Sequence, residues 1–472
     1  MRRASTRYIA LLGRLDLRDT TIASPTDAAL FLTRDSVTLE AAQEPAQKPT
    51  ELSWWDWTVF LLQTAAEIEH SLMIQYLYAA YSLSEGPYKG APPANAIQLA
   101  RKWRRTVLGV AREEMGHLLT VQNLLHFIGG PLTFQREDFP YRSLLYPFQF
   151  VQEPLTKDSL AKYIVAEMPA APAENLTEIK ARASKAASGS MINRVGILYA
   201  LLADIFADAT KLEDPDLLAD TAETVQGRME DWFGSSIILA RNVSSRAEAV
   251  EALRLIGEQG EGPWTSAAGP PSHYDRFLAL YREYPETDSA SASFAWVPTS
   301  PVPINPVTAA PIGASDAPHT VEISHPTSRL WAQLANVRYR MLLSFLAHAL
   351  HLEGSMGIPS GRTAKGCLRD WAFEEMKGRS VSGLRVLAQK LALMPRREGT
   401  SADVESAGIP FELPYTLLLH EKEKQRWRQH LALIESSSNV MAALQSAGQV
   451  DVVLDELSAI DAERRTYIQS LL

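Results

Sequence analysis

From residue 53 onward, apolar and small side chains recur every three to four positions in long runs, the spacing of buried helix faces. Ser53 and Asp56 make a capping-box-like start to the first run. Leu62, Ala65, Ala66, Leu72, Met73, Tyr76 and Ala80 then keep the period until Gly86-Pro87 ends it. A second helix is expected over 96–128, carrying Val107, Val110, Leu118, Val121, Leu124 and Leu125, and stopping at Gly129-Gly130-Pro131. Two helices of this length suit a bundle better than an ordinary α/β layer.

Residues 131–188 break the period with prolines and aromatics (Pro131, Phe134, Phe139, Pro140, Tyr141, Tyr146, Pro147, Phe148, Phe150) and read as a long crossover with one short helix near 158–167. A third helix is expected over 190–212. Asp214-Pro215 then signals another helix from 215 to Gly234. Ser245 and Glu248 form the next capping box. Residues 285–328 hold eight prolines and little period, a strap or extended wrap. Helices resume over 329–352, 367–394, 420–445 and 451–470. The fold class is therefore all-α, organised as a partly ordered extension (1–50), a metal-binding bundle (51–284), a Pro-rich strap (285–328) and a C-terminal helical region (329–472).

Composition narrows the function. Against 46 basic residues stand 55 acidic ones, a net charge of −9, without the basic clusters that nucleic acid or an anionic membrane requires. No apolar run approaches the roughly 18 residues of a membrane span, and the stretch from Tyr8 to Leu12 is too short for a secretory signal. Cys367 is the single cysteine, which removes internal disulfides and thiolate zinc clusters and favours a cytoplasmic setting. Any bound metal must then use Glu and His.

The chemistry concentrates at Glu114-Met115-Gly116-His117 in the second helix, where residues three apart share a face and can grip one ion. Glu69 sits on the apolar stripe of the first helix, where an unpaired carboxylate is costly. Glu67 reads instead as a surface acid. The run Gly257-Glu258-Gln259-Gly260-Glu261-Gly262, followed by His273, offers more carboxylates and an imidazole, either across a break in the helix or as a plain Gly-rich turn. Long helices carrying Glu and E-x-x-H, a crossover, then another Glu and His make the pattern of a ferritin-like carboxylate-bridged di-iron bundle. Such ligands suit iron or manganese. His348 and His351 with Glu353 raise a second metal site against a capping pattern. Trp54, Trp55 and Trp57 read as staple or core, and Tyr76, Tyr78 and Tyr81 lie near the metal level.

Several words resemble a known family, the ferritin-like domain of the iminophenyl-pyruvate dimer synthases of violacein and rebeccamycin-type pathways. They are Glu67-Ile68-Glu69-His70, Tyr76-Leu77-Tyr78-Ala79-Ala80-Tyr81-Ser82-Leu83, Arg112-Glu113-Glu114-Met115-Gly116-His117 and Leu124-Leu125-His126-Phe127-Ile128-Gly129-Gly130. Glu167-Met168-Pro169, Ile256-Gly257-Glu258-Gln259-Gly260-Glu261-Gly262 and Ser272-His273-Tyr274-Asp275-Arg276-Phe277 add to them. Late stretches, Gly408-Ile409-Pro410-Phe411-Glu412-Leu413-Pro414-Tyr415 and Arg426-Trp427-Arg428-Gln429-His430, extend the similarity. The resemblance implies a ferritin-like four-helix bundle with Glu69, Glu114, His117, Glu261 and His273 as metal ligands and Glu258 in reserve. One position departs: Val195-Gly196-Ile197-Leu198-Tyr199 has Ile197 where the family's third helix carries an acid, leaving Asp204 as a substitute.

The implied function is a non-haem iron oxidoreductase of natural-product biosynthesis, with two iron ions expected and one ion or manganese as the other occupancies. Its partners would be a small, aromatic or amino-acid-derived metabolite and O2 or peroxide, with oxidative imine coupling as the family reaction. A pathway enzyme or a second copy would be its protein partner, with no nucleic acid and no membrane. The alternative is a non-catalytic metal-storing or scaffold protein that keeps the ferritin-like shell.

Overall fold

Ser53 caps the first helix as the sequence predicts: its hydroxyl accepts from the Asp56 backbone N–H at 3.0 Å, and the Asp56 carboxylate accepts in return from Ser53. In this computed structural model, which describes residues 47–136, 145–188, 192–229, 240–261, 271–309, 320–354, 363–413 and 417–472, that helix is α1 (Trp54–Ser82). The extension expected over 1–50 lies outside the described residues up to 46. α2 (Ala96–Phe127) runs beside α1, and the Trp55 indole N–H donates to the Ile128 carbonyl at 2.7 Å, tying the start of one to the end of the other.

Among its described residues the crossover holds two short helices, α3 (Lys157–Ala166) and α4 (Thr177–Ala186), where the sequence pattern marks one. α5 (Gly196–Ala207) is shorter than the expected 190–212 and packs on α7 (Arg246–Glu261). α1 meets α5 and α2 meets α7, which closes a four-helix bundle. Between α5 and α7, the helix expected from 215 does not form over the described residues. Asp214–Asp216 is a single 3-10 turn, followed by the four-residue α6 (Thr221–Thr224). Two attachments hold the chain away from a helical course here: Arg246 grips the Phe206 and Leu212 carbonyls and the Asp214 carboxylate, and Leu218 N–H bonds the Phe127 carbonyl. α8 (His273–Glu283) packs against α3 and α7.

Over its described residues the strap is extended and pinned by two minimal sheets. β1 (Lys89–Gly90) pairs antiparallel with β2 (Trp296–Val297), and β3 (Pro306–Val307) pairs parallel with β4 (Val321–Glu322). Beyond it, α9 (Pro326–Ala349) is packed by α10 (Ala364–Lys377), α11 (Leu384–Leu391) and α12 (Glu423–Ser446), with α13 (Val452–Leu471) on α12. The expected helix over 367–394 is two helices because Gly378 and Gly383 take φ of +78° and +98°, values side-chain-bearing residues disfavour.

Among the described residues the main apolar core draws on side chains from Trp57 to Ile468, with a small separate cluster of Ala161, Val165 and Ala183. α11 packs on α1, and the Tyr339 hydroxyl of α9 lies 2.5 Å from His70 Nε2 of α1. This second cover leaves α1 no solvent face: every residue from Trp57 to Tyr76 is buried. Glu67, read as a surface acid, is therefore buried, three residues before His70 on the same side. Among the described residues no helix is long and apolar enough to cross a membrane.

Candidate metal centre

Glu69, Glu114, His117 and His273 are each no more than 2% exposed and meet inside the bundle. α1 supplies Glu69, and α2 supplies Glu114 and His117 on one face. His273 is the first residue of α8, held there by a Ser272–Asp275 capping box. One ligand atom from each of Glu114, His117 and His273 lies within 4.8 Å of the others.

Both imidazoles turn Nδ1 inward, because each Nε2–H is already engaged. His117 Nε2 donates to the Gln259 side-chain oxygen at 2.8 Å, and His273 Nε2 donates to Glu113 at 2.9 Å. Glu113 also accepts from Arg276, so a buried carboxylate and a guanidinium brace the His273 ring. Inside, Glu114 lies between the two rings. Its Oε2 is 2.8 Å from His117 Nδ1, and its Oε1 is 3.1 Å from His273 Nδ1. Glu69 Oε2 approaches His117 Nδ1 at 3.3 Å, and Glu167 Oε2 approaches His273 Nδ1 at 3.7 Å. Each outer carboxylate has a tyrosine: Tyr199 of α5 donates to Glu69, and Tyr76 of α1 donates to Glu167 at 2.7 Å.

A small cavity of about 10 Å³, room for one water, opens on this cluster, lined by Glu69, Glu114, His117, Glu167, Tyr199 and Glu261 with Leu72, Val195, Ile256 and three glycines. α7 runs unbroken through Gly257 and Gly260, so the glycines are neither a helix break nor a turn. Each costs a helix about 1 kcal/mol relative to Ala. At Gly260 the missing side chain has a reason, since a Cβ there would lie 2.8 Å from Glu167 Oε2.

Glu261 lines the cavity but not its centre. Its carboxylate accepts from the Gly196 N–H at 3.1 Å and faces Arg194 at 3.4 Å. Glu258 pairs with Arg254 and does not line the cavity. Asp204 is exposed on α5, and the side chain this helix sends to the cluster is Tyr199, two residues beyond Ile197. Sequence reasoning left out Glu113, Glu167, Gln259 and Tyr199. Each lies in a stretch that carries the family resemblance, Glu167 in the acid-x-Pro word. The others were visible only as polar residues beside expected ligands.

The electrostatics ask for a positive charge. Burial, reinforced by Glu114, pushes the Glu69 carboxyl up to about 8. Burial opposes charge on His117, yet Glu69 and Glu114 raise it to about 10. His273 is likewise raised against its own burial, by Glu114, Glu113 and Glu167. Burial alone would raise Glu114, but His273 and His117 hold it well below the carboxylate range. Protons here balance charge that a cation would otherwise balance. Glu114 Oε1 and His273 Nδ1 are also buried without a hydrogen-bond partner, two donor atoms facing one point. Carboxylate and imidazole suit a divalent transition metal, so the residues present fit one.

The His348 cluster differs from the sequence expectation. His348 pairs with His430 at 2.8 Å and with Glu423 at 3.0 Å, while the His351 ring bonds the Ala347 carbonyl and Glu353 is exposed.

The bundle and its inward Glu/His cluster define the class. Residues 62–282 match the ferritin-like family model, and this part of the chain is a ferritin-like domain. Over 400 residues the chain is 27% identical to a dichlorochromopyrrolate synthase of Lentzea aerocolonigenes, covering 75% of this chain and 35% of that enzyme. Over 348 residues it is 24% identical to a 2-imino-3-(indol-3-yl)propanoate dimerase of Chromobacterium violaceum, covering 67% of this chain and 30% of that one. The resemblance to the dimer-synthase family holds, and the chain spans about a third of the length of the curated relatives it matches. No solved structure matches it.

Proposed function

We propose that the protein is a non-haem iron oxidoreductase of natural-product biosynthesis, acting on a small aromatic or amino-acid-derived metabolite with O2 or peroxide as oxidant. The observation that carries this reading is the convergence of Glu69, Glu114, Glu167 and His117 on one buried cavity, with His273 Nδ1 3.1 Å from Glu114 Oε1 and neither atom hydrogen-bonded. On this reading Glu69, Glu114 and His117 would hold one ion, and Glu114, Glu167 and His273 a second, with Glu261 joining from the rim. Bound iron would supply activation of the oxidant and accept the electrons removed from the substrate.

The chain's own residues prepare that chemistry. Tyr199 and Tyr76 fix the outer carboxylates by donating their hydroxyl protons to Glu69 and Glu167. Gln259 and Glu113 hold the Nε2 protons of the two histidines, which keeps both Nδ1 atoms turned to the carboxylates of the cluster. Leu72, Val195 and Ile256 line one side with apolar surface that excludes water. Oxidative imine coupling, as the names of the relatives suggest, is the reaction we assign to this site.

Iron analysis of anaerobically purified protein tests the reading. About one to two equivalents, lost in His117→Ala, is the expected result; metal well below one equivalent, unchanged in that variant, sinks it. A metal-storing or scaffold role is the second reading, favoured by Ile197 standing where the family's third helix carries an acid. It predicts Fe(II) oxidation without a small-molecule product.

A further inference from the structure

We propose that Gly260 sets how many metal ions the centre holds. By leaving open the space beside α7 that the Glu167 carboxylate fills, it lets the crossover complete a second ligand set. A side chain at this position would leave the site with one ion. This rests on the oxidoreductase reading and concerns the capacity of its metal site.

Glu167 reaches the cluster from a fixed main chain. Its N–H closes α3 on the Tyr163 carbonyl at 3.0 Å, and the Ala166 carbonyl before it accepts the Val195 N–H at 3.0 Å. Only the side chain is left to move. Its Oε1 accepts from the Tyr76 hydroxyl at 2.7 Å, and its Oε2 stands 3.7 Å from His273 Nδ1. A Cβ on Gly260 would lie 2.8 Å from that same Oε2. Carbon and oxygen in close contact keep about 3.3 Å, so Oε2 would have to give way by about half an ångström. A metal ligand tolerates about 0.2 Å. With Oε1 held by Tyr76, the carboxyl group turns, and the oxygen that leaves its place is the one facing His273.

The two halves of the cluster make the effect one-sided. Glu114 spans them, with Oε2 2.8 Å from His117 Nδ1 and Oε1 3.1 Å from His273 Nδ1. Neighbouring donors on one ion, with bonds of about 2.1 Å, stand about 3 Å apart, so each pair has the spacing an ion needs. Glu69 adds to the His117 half and Glu167 to the His273 half. Beyond its own helix and chain neighbours, Glu167 Oε2 is the single described atom within 4 Å of a Cβ at position 260. The His117 half is therefore untouched. Gly257, about one turn earlier on α7, is the natural control: a Cβ there would meet only the Tyr199 Cβ, at an ordinary 3.9 Å. Glycine weakens a helix at either position, so alanine at either suits α7 itself.

The test loads the full chain anaerobically with Mn(II), removes unbound metal, and reads metal content and electron paramagnetic resonance. The wild type and Gly257→Ala should hold about two ions per chain and give the signal of a spin-coupled pair. Gly260→Ala should hold about one ion, give the signal of an isolated ion, and melt in the metal-free state no lower than the wild type. Glu167→Ala should match it. Adding Gly260→Ala to Glu167→Ala should change nothing further, because the glycine acts only through that carboxylate. A coupled pair that persists in Gly260→Ala overturns the assignment, as does an equal loss in Gly257→Ala, a loss of both ions, or a further loss in the double variant. A metal-free Gly260→Ala that melts well below the wild type means that the side chain collides with more than Glu167, which overturns it too. One ion in every variant, wild type included, overturns it while the oxidoreductase reading stands. No metal in the wild type defeats that reading, and the assignment with it.

Discussion

His273 Nδ1 and Glu114 Oε1 face one another across 3.1 Å in the centre of the bundle, and neither has a hydrogen-bond partner. With the ring's other nitrogen bonded to Glu113, the inward lone pair is available to a cation. The orientation of that one ring connects the two sides of the site.

Glu113→Ala should therefore weaken metal binding although Glu113 does not line the cavity. Loss of the carboxylate frees the His273 ring and leaves Arg276 without its partner. Outer partners of this kind are typically worth about 10–100-fold in affinity. Competition for Fe(II) against a chelator measures it, and Glu113→Gln, which keeps an acceptor oxygen, should lose less. An unchanged affinity in Glu113→Ala would remove the bracing role.

Metal loading should stabilise the fold. At a hundredfold excess over its Kd, a ligand bound only by the native state adds about 2.7 kcal/mol. Calorimetric melting with and without Fe(II) under anaerobic conditions should show a rise in Tm for the wild type and none for His117→Ala. Identical shifts in both would place the metal elsewhere.

His348 should make the protein acid-sensitive. Burial lowers its imidazole to about 4, with Glu423 opposing and Arg426 and His351 assisting. The folded value lies below the unfolded one near 6.5, so the unfolded chain takes the proton first and stability falls as pH drops from 6.5 towards 4. Between pH 8 and pH 5 this contributes a loss of about 2 kcal/mol. Urea unfolding at the two pH values checks it, and in His348→Gln the difference should shrink by about that amount.

Arg338→Met should be severely destabilising. Arg338 is 1% exposed and binds Glu375 at 2.7 Å and Asp461 at 2.7 Å, with Arg464 closing the network through Glu375. Removing it leaves buried carboxylate charge without its partner, at a cost of about 3–5 kcal/mol. The urea midpoint should fall accordingly; a change below about 1 kcal/mol would mean that Arg464 alone balances both acids.

Local patterns carried much of the fold. The Ser53 cap, the α1 and α2 stripes and the glycine stop after Phe127 are short-range features, and each is legible because helix periodicity and capping act within a few residues. The E-x-x-H pair is legible for the same reason, since Glu114 and His117 share one helix face. The long-range partners are not. That His273 joins them, that Glu113 and Arg276 brace its ring, and that Glu167 comes from the crossover depend on contacts between residues up to 163 positions apart. Likewise Glu67 looked like a surface acid because nothing local says that a second helical layer covers α1. The opening pattern of apolar positions thus determined which segments are helical and which faces they bury. Only the packing of those faces decided which buried carboxylates meet an imidazole, and which, like Glu261, rest against an arginine at the rim.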